Sequence, residues 1–191
     1  MPAAPASLTG RSRKRARAFL FSSAFVALAA FVANRIELLD RTKARLSDAI
    51  YLDQVGVSRQ LSLDDCGVAA MEMLIAHLTG RSERLDSLRQ LTIARRRGIS
   101  FAELSAFAET RGLRATGWQM SVEELRTHAL PVIVQFPNHF LVLDSFSGAE
   151  EAILRDPSIG RIRMAVRDFE RAWTGRVLFI GAGDTLSRSR P

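Results

Sequence analysis

From Tyr51 onward the apolar positions follow two rhythms in succession, first helical and then alternating. The run Gly67–Leu78 carries apolar residues on more than one face, the pattern of a helix buried on all sides. Asp64 or Asp65 stands where a helix cap is needed, and Gly80 stands where such a helix ends. Ser82–Arg97 and Ser100–Thr110 are amphipathic, with Gly98 and Gly112 as breaks. Ser121–Thr127 opens with the S-x-E-E of a capped short helix. The rhythm then changes. Pro131–Phe136, Phe140–Phe146, Glu151–Arg155, Arg161–Val166 and Arg176–Ile180 are short, rich in Val, Ile, Leu and Phe, and bounded by Pro, Asn, Gly or Ser. Helices first and a meander of strands afterwards predict an α+β domain with an antiparallel sheet over residues 51–182, not a chain of βαβ units.

Ahead of that domain the pattern is of another kind. Ala18–Ala33 is a stretch of sixteen residues without a charge, behind a basic segment over residues 1–17. Continued through Ile36–Leu39, residues 18–39 read as one membrane anchor with Arg35 snorkelling to the interface. A cleaved signal, with Ala27-Leu28-Ala29 as its small-x-small site, is the alternative. A buried core helix is disfavoured by the five basic residues, with no acidic one among them, that precede the stretch. Five Lys/Arg before it and four after it (Arg35, Arg41, Lys43 and Arg45) orient the N-terminus to the cytoplasm and the domain to the non-cytoplasmic side. Cleavage as a signal exports the domain instead. Residues 40–50 read as a polar linker, and 183–191 as a disordered tail.

Charge changes the picture once it is located. The whole chain carries a formal +7, but residues 1–45 hold nine Lys/Arg against two Asp/Glu, so the remainder is neutral. The basic excess therefore belongs to the N-terminal segment, and no basic stripe with interleaved aromatics suggests nucleic-acid binding. One cysteine excludes an intramolecular disulfide and a multi-cysteine zinc site, and no two of His77, His128 and His139 lie at close metal-ligand spacing. No cofactor is expected. No G-x-x-x-x-G-K-[ST] occurs, which excludes a P-loop ATPase within this chain.

The single thiol, Cys66, stands at the start of the buried helix, in QLSLDDCGVAAMEMLI. Unsatisfied amides and the positive end of the helix dipole favour a thiolate there. A nucleophile of this kind needs a base. His77 lies eleven positions along the same helix and so about 16 Å away. His128 sits at the end of a short helix, a usual place for a solvated imidazole. His139 opens a strand after Pro137-Asn138, where a side chain can reach across a cleft; the alternative is a satisfied structural histidine. An orienting acceptor is needed in turn. Asp144, five residues along the same strand, falls on the opposite face about 17 Å away. Asp156 ends the next strand, and an antiparallel pairing brings it to the start of the His139 strand; the alternative is a turn-initiating Asp-Pro.

Taken in order, these pieces resemble the bacteriocin-processing cysteine peptidases, papain-like enzymes that remove double-glycine leader peptides. Gln60 stands six residues before Cys66-Gly67. Gly98–Leu104 and Gly112-Leu113 follow, then Leu130-Pro131-Val132-Ile133, His139-Phe140-Leu141-Val142, Asp156-Pro157-Ser158-Ile159-Gly160, and finally Phe169-Glu170 with Trp173-Thr174-Gly175. The resemblance implies a papain-like fold, Cys66 as nucleophile, His139 as general base and then acid, and Asp156 as its orienting group. It gives Gln60 the role of oxyanion-hole donor beside the Cys66 amide. It also implies a peptide or protein substrate with a Gly-Gly leader and, since many members are fused to a transporter, a separate export transporter as partner. Two other readings of the same residues are a papain-like acyl transferase or amidase and a non-catalytic peptide-binding module.

Overall fold

A computed structural model describes residues 10–182, with the side chains of 10–24 and 27 left aside. The chain divides into two compact units that meet in sequence between Leu39 and Asp40. Helix α1 (Gly10–Leu46) supplies the first unit up to Leu39. Up to Leu39 its described apolar side chains, among them Phe25, Leu28 and Phe31, are exposed, and the Arg35 guanidinium lies over the Phe31 ring. Among the described residues no helix is long and apolar enough to cross a membrane. Of the span expected over 18–39, the side chains of 18–24 and 27 fall outside the described residues.

The second unit is α+β. Helices α2 (Cys66–Thr79), α3 (Asp86–Arg95), α4 (Phe101–Thr110), α5 (Val122–Leu125) and α6 (Val166–Ala172) accompany seven strands. These are β1 (Ala49–Asp53), β2 (Leu113–Gln119), β3 (Val132–Phe136), β4 (His139–Ser147), β5 (Glu151–Asp156), β6 (Gly160–Ala165) and β7 (Arg176–Ala182). They form one antiparallel sheet in the order β1-β6-β5-β4-β3-β7-β2. Consecutive strands β3 to β6 pair through short turns, as the meander pattern predicts.

The two-residue period of a strand sorts the core. Val132 and Val134 of β3, Leu141 and Leu143 of β4, and Val177 and Phe179 of β7 enter one cluster with Phe169 and Trp173. Their neighbours Ile133, Val142, Leu178 and Ile180 enter the other, against Met71, Met73, Leu74, Leu104 and Ala108. The central strands are thus covered on both faces, which is why they read as continuous apolar runs and not as alternation.

Three readings need correction. The stretch 40–50, read as a polar, helix-compatible linker, holds the last turns of α1 and then, at Ala49 and Ile50, the start of β1, which pairs with β6. Strand β2 was not foreseen; it is an edge strand with mostly exposed side chains and Gly117 in its middle, so its apolar signal is weak. The third concerns the cap of α2. Asp65 is the N-cap residue but makes no side-chain cap bond. Its buried carboxylate instead accepts from the Leu61 and Ser62 amides and pairs with Arg89. Gly80 does end the helix, in a left-handed conformation with φ 68°. Helix α4 is capped by Ser100 and α5 by Ser121, each with reciprocal bonds to the Glu three residues on.

Candidate active site

Cys66 is the first residue of α2, so its amide lies in the turn that has no intrahelical acceptor. The helix can approach β4 this closely because residue 67 is glycine. A Cβ there meets Phe140 Cδ2 at 2.9 Å and Ile99 Cγ2 at 2.5 Å. His139 is the first residue of β4, directly after Asn138, whose φ of 56° makes the hairpin turn from β3. Asp156 is the last residue of β5. Because β4 and β5 run antiparallel, the start of one lies beside the end of the other, as the spacing anticipates. His139 Nε2 is 2.9 Å from Asp156 Oδ1. That leaves Nδ1 for the Cys66 sulfur, which together with Asp156 raises the imidazole pKa.

Asp156 is held from its other side as well. The Ser158 amide and hydroxyl donate to Asp156 Oδ1 at 2.6 and 2.7 Å. Burial opposes ionisation of this carboxyl, but the bonds from His139 and Ser158, with the imidazolium charge, hold it below the usual carboxylate range. Burial likewise opposes the charge on His139. The hydrogen bonds to Asp156 and Cys66, and the negative charge of both, outweigh it and raise the imidazole pKa to about 10. The site therefore favours an imidazolium against the Asp156 carboxylate, a cation of the kind that makes a neighbouring thiol a ready nucleophile.

Cys66, His139 and Ser158 open onto a cleft of about 830 Å³, with Leu63, Ile99, Phe101 and Phe140 as apolar walls. Gln60 lines the same cleft. Its Nε2 donates one proton to the Ser62 carbonyl at 2.9 Å, and among the described residues its buried Oε1 has no partner. The other histidines stand elsewhere: His77 is exposed, and the ring of His128 stacks at a tilt on Phe179. Asp144 faces away and is bound by Arg155. Ser158 was missed by the sequence reading. Its signal was the Asp-Pro-Ser turn, in which an Asp side chain accepts from the amide two residues on.

Known proteins share this arrangement of chain. The sequence profile of the Peptidase C39 family matches residues 54–185. The "Probable functional amyloid protease FapD" of Pseudomonas aeruginosa is 27% identical over 137 residues, which cover 66% of this chain and 60% of that protein. The "Probable microcin-H47 secretion/processing ATP-binding protein MchF" of Escherichia coli is 29% identical over 131 residues, 68% of this chain and 18% of that protein. The chain thus spans less than two thirds of these curated relatives. Among solved structures, a double glycine motif protease from an AMS/PCAT transporter, in complex with the leader peptide, has a TM-score of 0.58 at 27% identity, covering 69% of this chain and 96% of that one. The peptidase domain of Streptococcus ComA has the same fold, with a TM-score of 0.59 at 22% identity over 65% of this chain and 96% of that one. Since the profile takes in α2, the β4–β5 pair and both walls of the cleft, this chain belongs to the peptidase C39 family and is a cysteine peptidase.

Proposed function

We propose that the protein hydrolyses a peptide bond through Cys66, His139 and Asp156, with Gln60 as oxyanion donor, and that its substrate carries a double-glycine leader. The observation that carries this reading is the position of His139, bonded to a buried carboxylate and lining one open cleft with the lone thiol. The Cys66 thiolate attacks the scissile carbonyl carbon and forms a C–S bond. The carbonyl oxygen takes the negative charge, which the Cys66 amide and the second Nε2 proton of Gln60 stabilise. The His139 imidazolium gives its proton to the leaving amine, the C–N bond breaks, and a thioester remains. His139, now neutral, takes a proton from water. The hydroxide attacks the thioester, the C–S bond breaks, and the carboxylic acid leaves as the thiolate and imidazolium are restored.

The leader reading is supported by the leader peptide bound to the solved AMS/PCAT relative and by the apolar walls of the cleft. The name of MchF, a secretion/processing protein, points to an export transporter as partner. The sixteen uncharged residues behind a basic segment support a membrane tether at 18–39, with the domain on the non-cytoplasmic side. Retention of the full chain in alkali-washed membranes is expected; its release would remove the tether. For the activity, full-length protein is incubated with a peptide holding Gly-Gly before the scissile bond, and the new termini are read by mass spectrometry. Cleavage after Gly-Gly, abolished by alkylation of Cys66, is expected. An intact peptide in the presence of a rapidly alkylated Cys66 would overturn the leader assignment.

A further inference from the structure

The turn that follows Asp156 is held by the segment that leads from the end of α1 to Gln60. Its three successive carbonyls all accept hydrogen bonds from residues 43–60. The Gln60 amide donates to Pro157 O at 3.0 Å, Lys43 Nζ to Ser158 O at 3.3 Å, and Gln54 Nε2 to Ile159 O at 2.8 Å. The turn closes on Gly160, whose φ of 132° and lack of a Cβ let Gln54 come this near; a Cβ there lies 2.5 Å from Gln54 Nε2.

Asp40 ties these donors together. It stands near the end of α1 and is 1% exposed. Asp40 Oδ2 accepts from Gln54 Nε2 at 3.0 Å and from Arg59 Nη1 at 3.3 Å, and Oδ1 accepts from Arg59 Nη2 at 3.1 Å. Arg59 is joined by a peptide bond to Gln60. One buried carboxylate therefore fixes the backbone that carries Gln60 on one side and the turn that follows Asp156 on the other. A bidentate pair of this kind sets direction as well as distance.

We infer that Asp40 is a positioning residue for the reaction, aligning Gln60 with the Asp156 turn through Arg59 and Gln54. It touches no reacting atom and acts on their geometry. The inference rests on the roles proposed above for Gln60 and Asp156.

The test is a double-mutant cycle on kcat with full-length protein and the Gly-Gly peptide. Asp40→Ala should lower kcat roughly 10- to 100-fold with KM little changed, as a misplacement of about 1 Å does. In a Gln60→Ala background the same substitution should cost a clearly smaller factor, because the donor it aligns is gone. Equal factors in the two backgrounds would mean a role in the fold alone and overturn the inference. If Asp40→Ala does not fold, Gln54→Ala and Arg59→Gln each cut one arm; wild-type kcat in both overturns it as well. A Gln60→Ala enzyme with wild-type kcat sinks the oxyanion assignment itself, whereas a slow Gln60→Ala beside a fully active, folded Asp40→Ala sinks this inference only.

Discussion

Arg89 and His139 are both cations held by buried carboxylates, and they end in different chemical situations. Arg89 is 2% exposed and lies between two acids. Its Nε and Nη2 donate to Glu72 at 3.0 and 2.5 Å, Nη1 donates to Asp65, and Nη2 reaches Ser58 Oγ at 3.2 Å. Glu72 also accepts from the Leu85 amide. Burial would raise the Glu72 pKa, but these donors lower it, and the same pairing raises that of Arg89. A guanidinium does not release its proton, so this group has one state. His139 keeps a quarter of its side chain open to the cleft, where Arg89 has almost none. Its partner is one buried carboxylate, its cleft also holds the lone thiol, and an imidazole can give up its proton. Saturated, inaccessible charge holds a shape; charge with an open side and a second protonation state can do chemistry. The two groups also meet along the chain, because Asp65 shapes the loop from Gln60 to Cys66.

The sharpest test of this contrast is Cys66→Ala. It should abolish peptide cleavage, by about 10⁴-fold or more, while circular dichroism shows the fold retained. Residual turnover near wild type would break the comparison, since the open cluster would then have no reactive member. Arg89→Met should act in the reverse sense. It leaves Asp65 and Glu72 buried without their cation and should cost about 3–5 kcal/mol in urea unfolding. A variant as stable as wild type would show that the Arg89 cluster is not the structural one.

Gln60→Ala comes next. Loss of one oxyanion donor should lower kcat about 10²–10³-fold, or roughly 2.7–4 kcal/mol, with little change in KM. Alkylation of Cys66 should stay near its wild-type rate, because iodoacetamide forms no oxyanion. A parallel fall in both rates would move Gln60 from the oxyanion to the thiolate.

A further effect is on stability against pH. His139 is raised from 6.5 to about 10 on folding, so its contribution is complete below about 6.5 and is lost as pH rises toward 10. Asp156 is lowered, so its contribution is present above the unfolded value and is lost as pH falls. Thermal midpoints of wild type and His139→Gln should therefore differ most near pH 6 and converge by about pH 10. A difference that stays constant across that range would mean the imidazole does not hold its proton in the folded state.

Much of this could be read before any coordinates. The apolar excess of Gly67–Leu78 marked the buried helix, and the strands β3, β4 and β7 stood out because both of their faces are covered. His139 and Asp156 were within reach of the sequence because a strand start and the next strand's end must adjoin in an antiparallel pair. Strands β1 and β2 were not legible, since edge strands bury too few side chains to print a pattern. Asp65 was read as a helix cap because local rules see only neighbouring amides. Its actual cation lies 24 residues away.

What the sequence by itself determined is local: a thiol at a helix start, the rhythm of helix and strand, the turn chemistry of Asp156-Pro157-Ser158, and the end of α2 at Gly80. These follow from backbone sterics and short-range hydrogen bonding, which depend on a few adjacent residues. Only the tertiary structure decided which charges meet. Asp40 with Arg59, and Asp65 and Glu72 with Arg89, are pairings between segments far apart along the chain. A buried carboxylate needs donors, and which donors come within about 3 Å of it is set by packing of distant segments, not by their order along the chain.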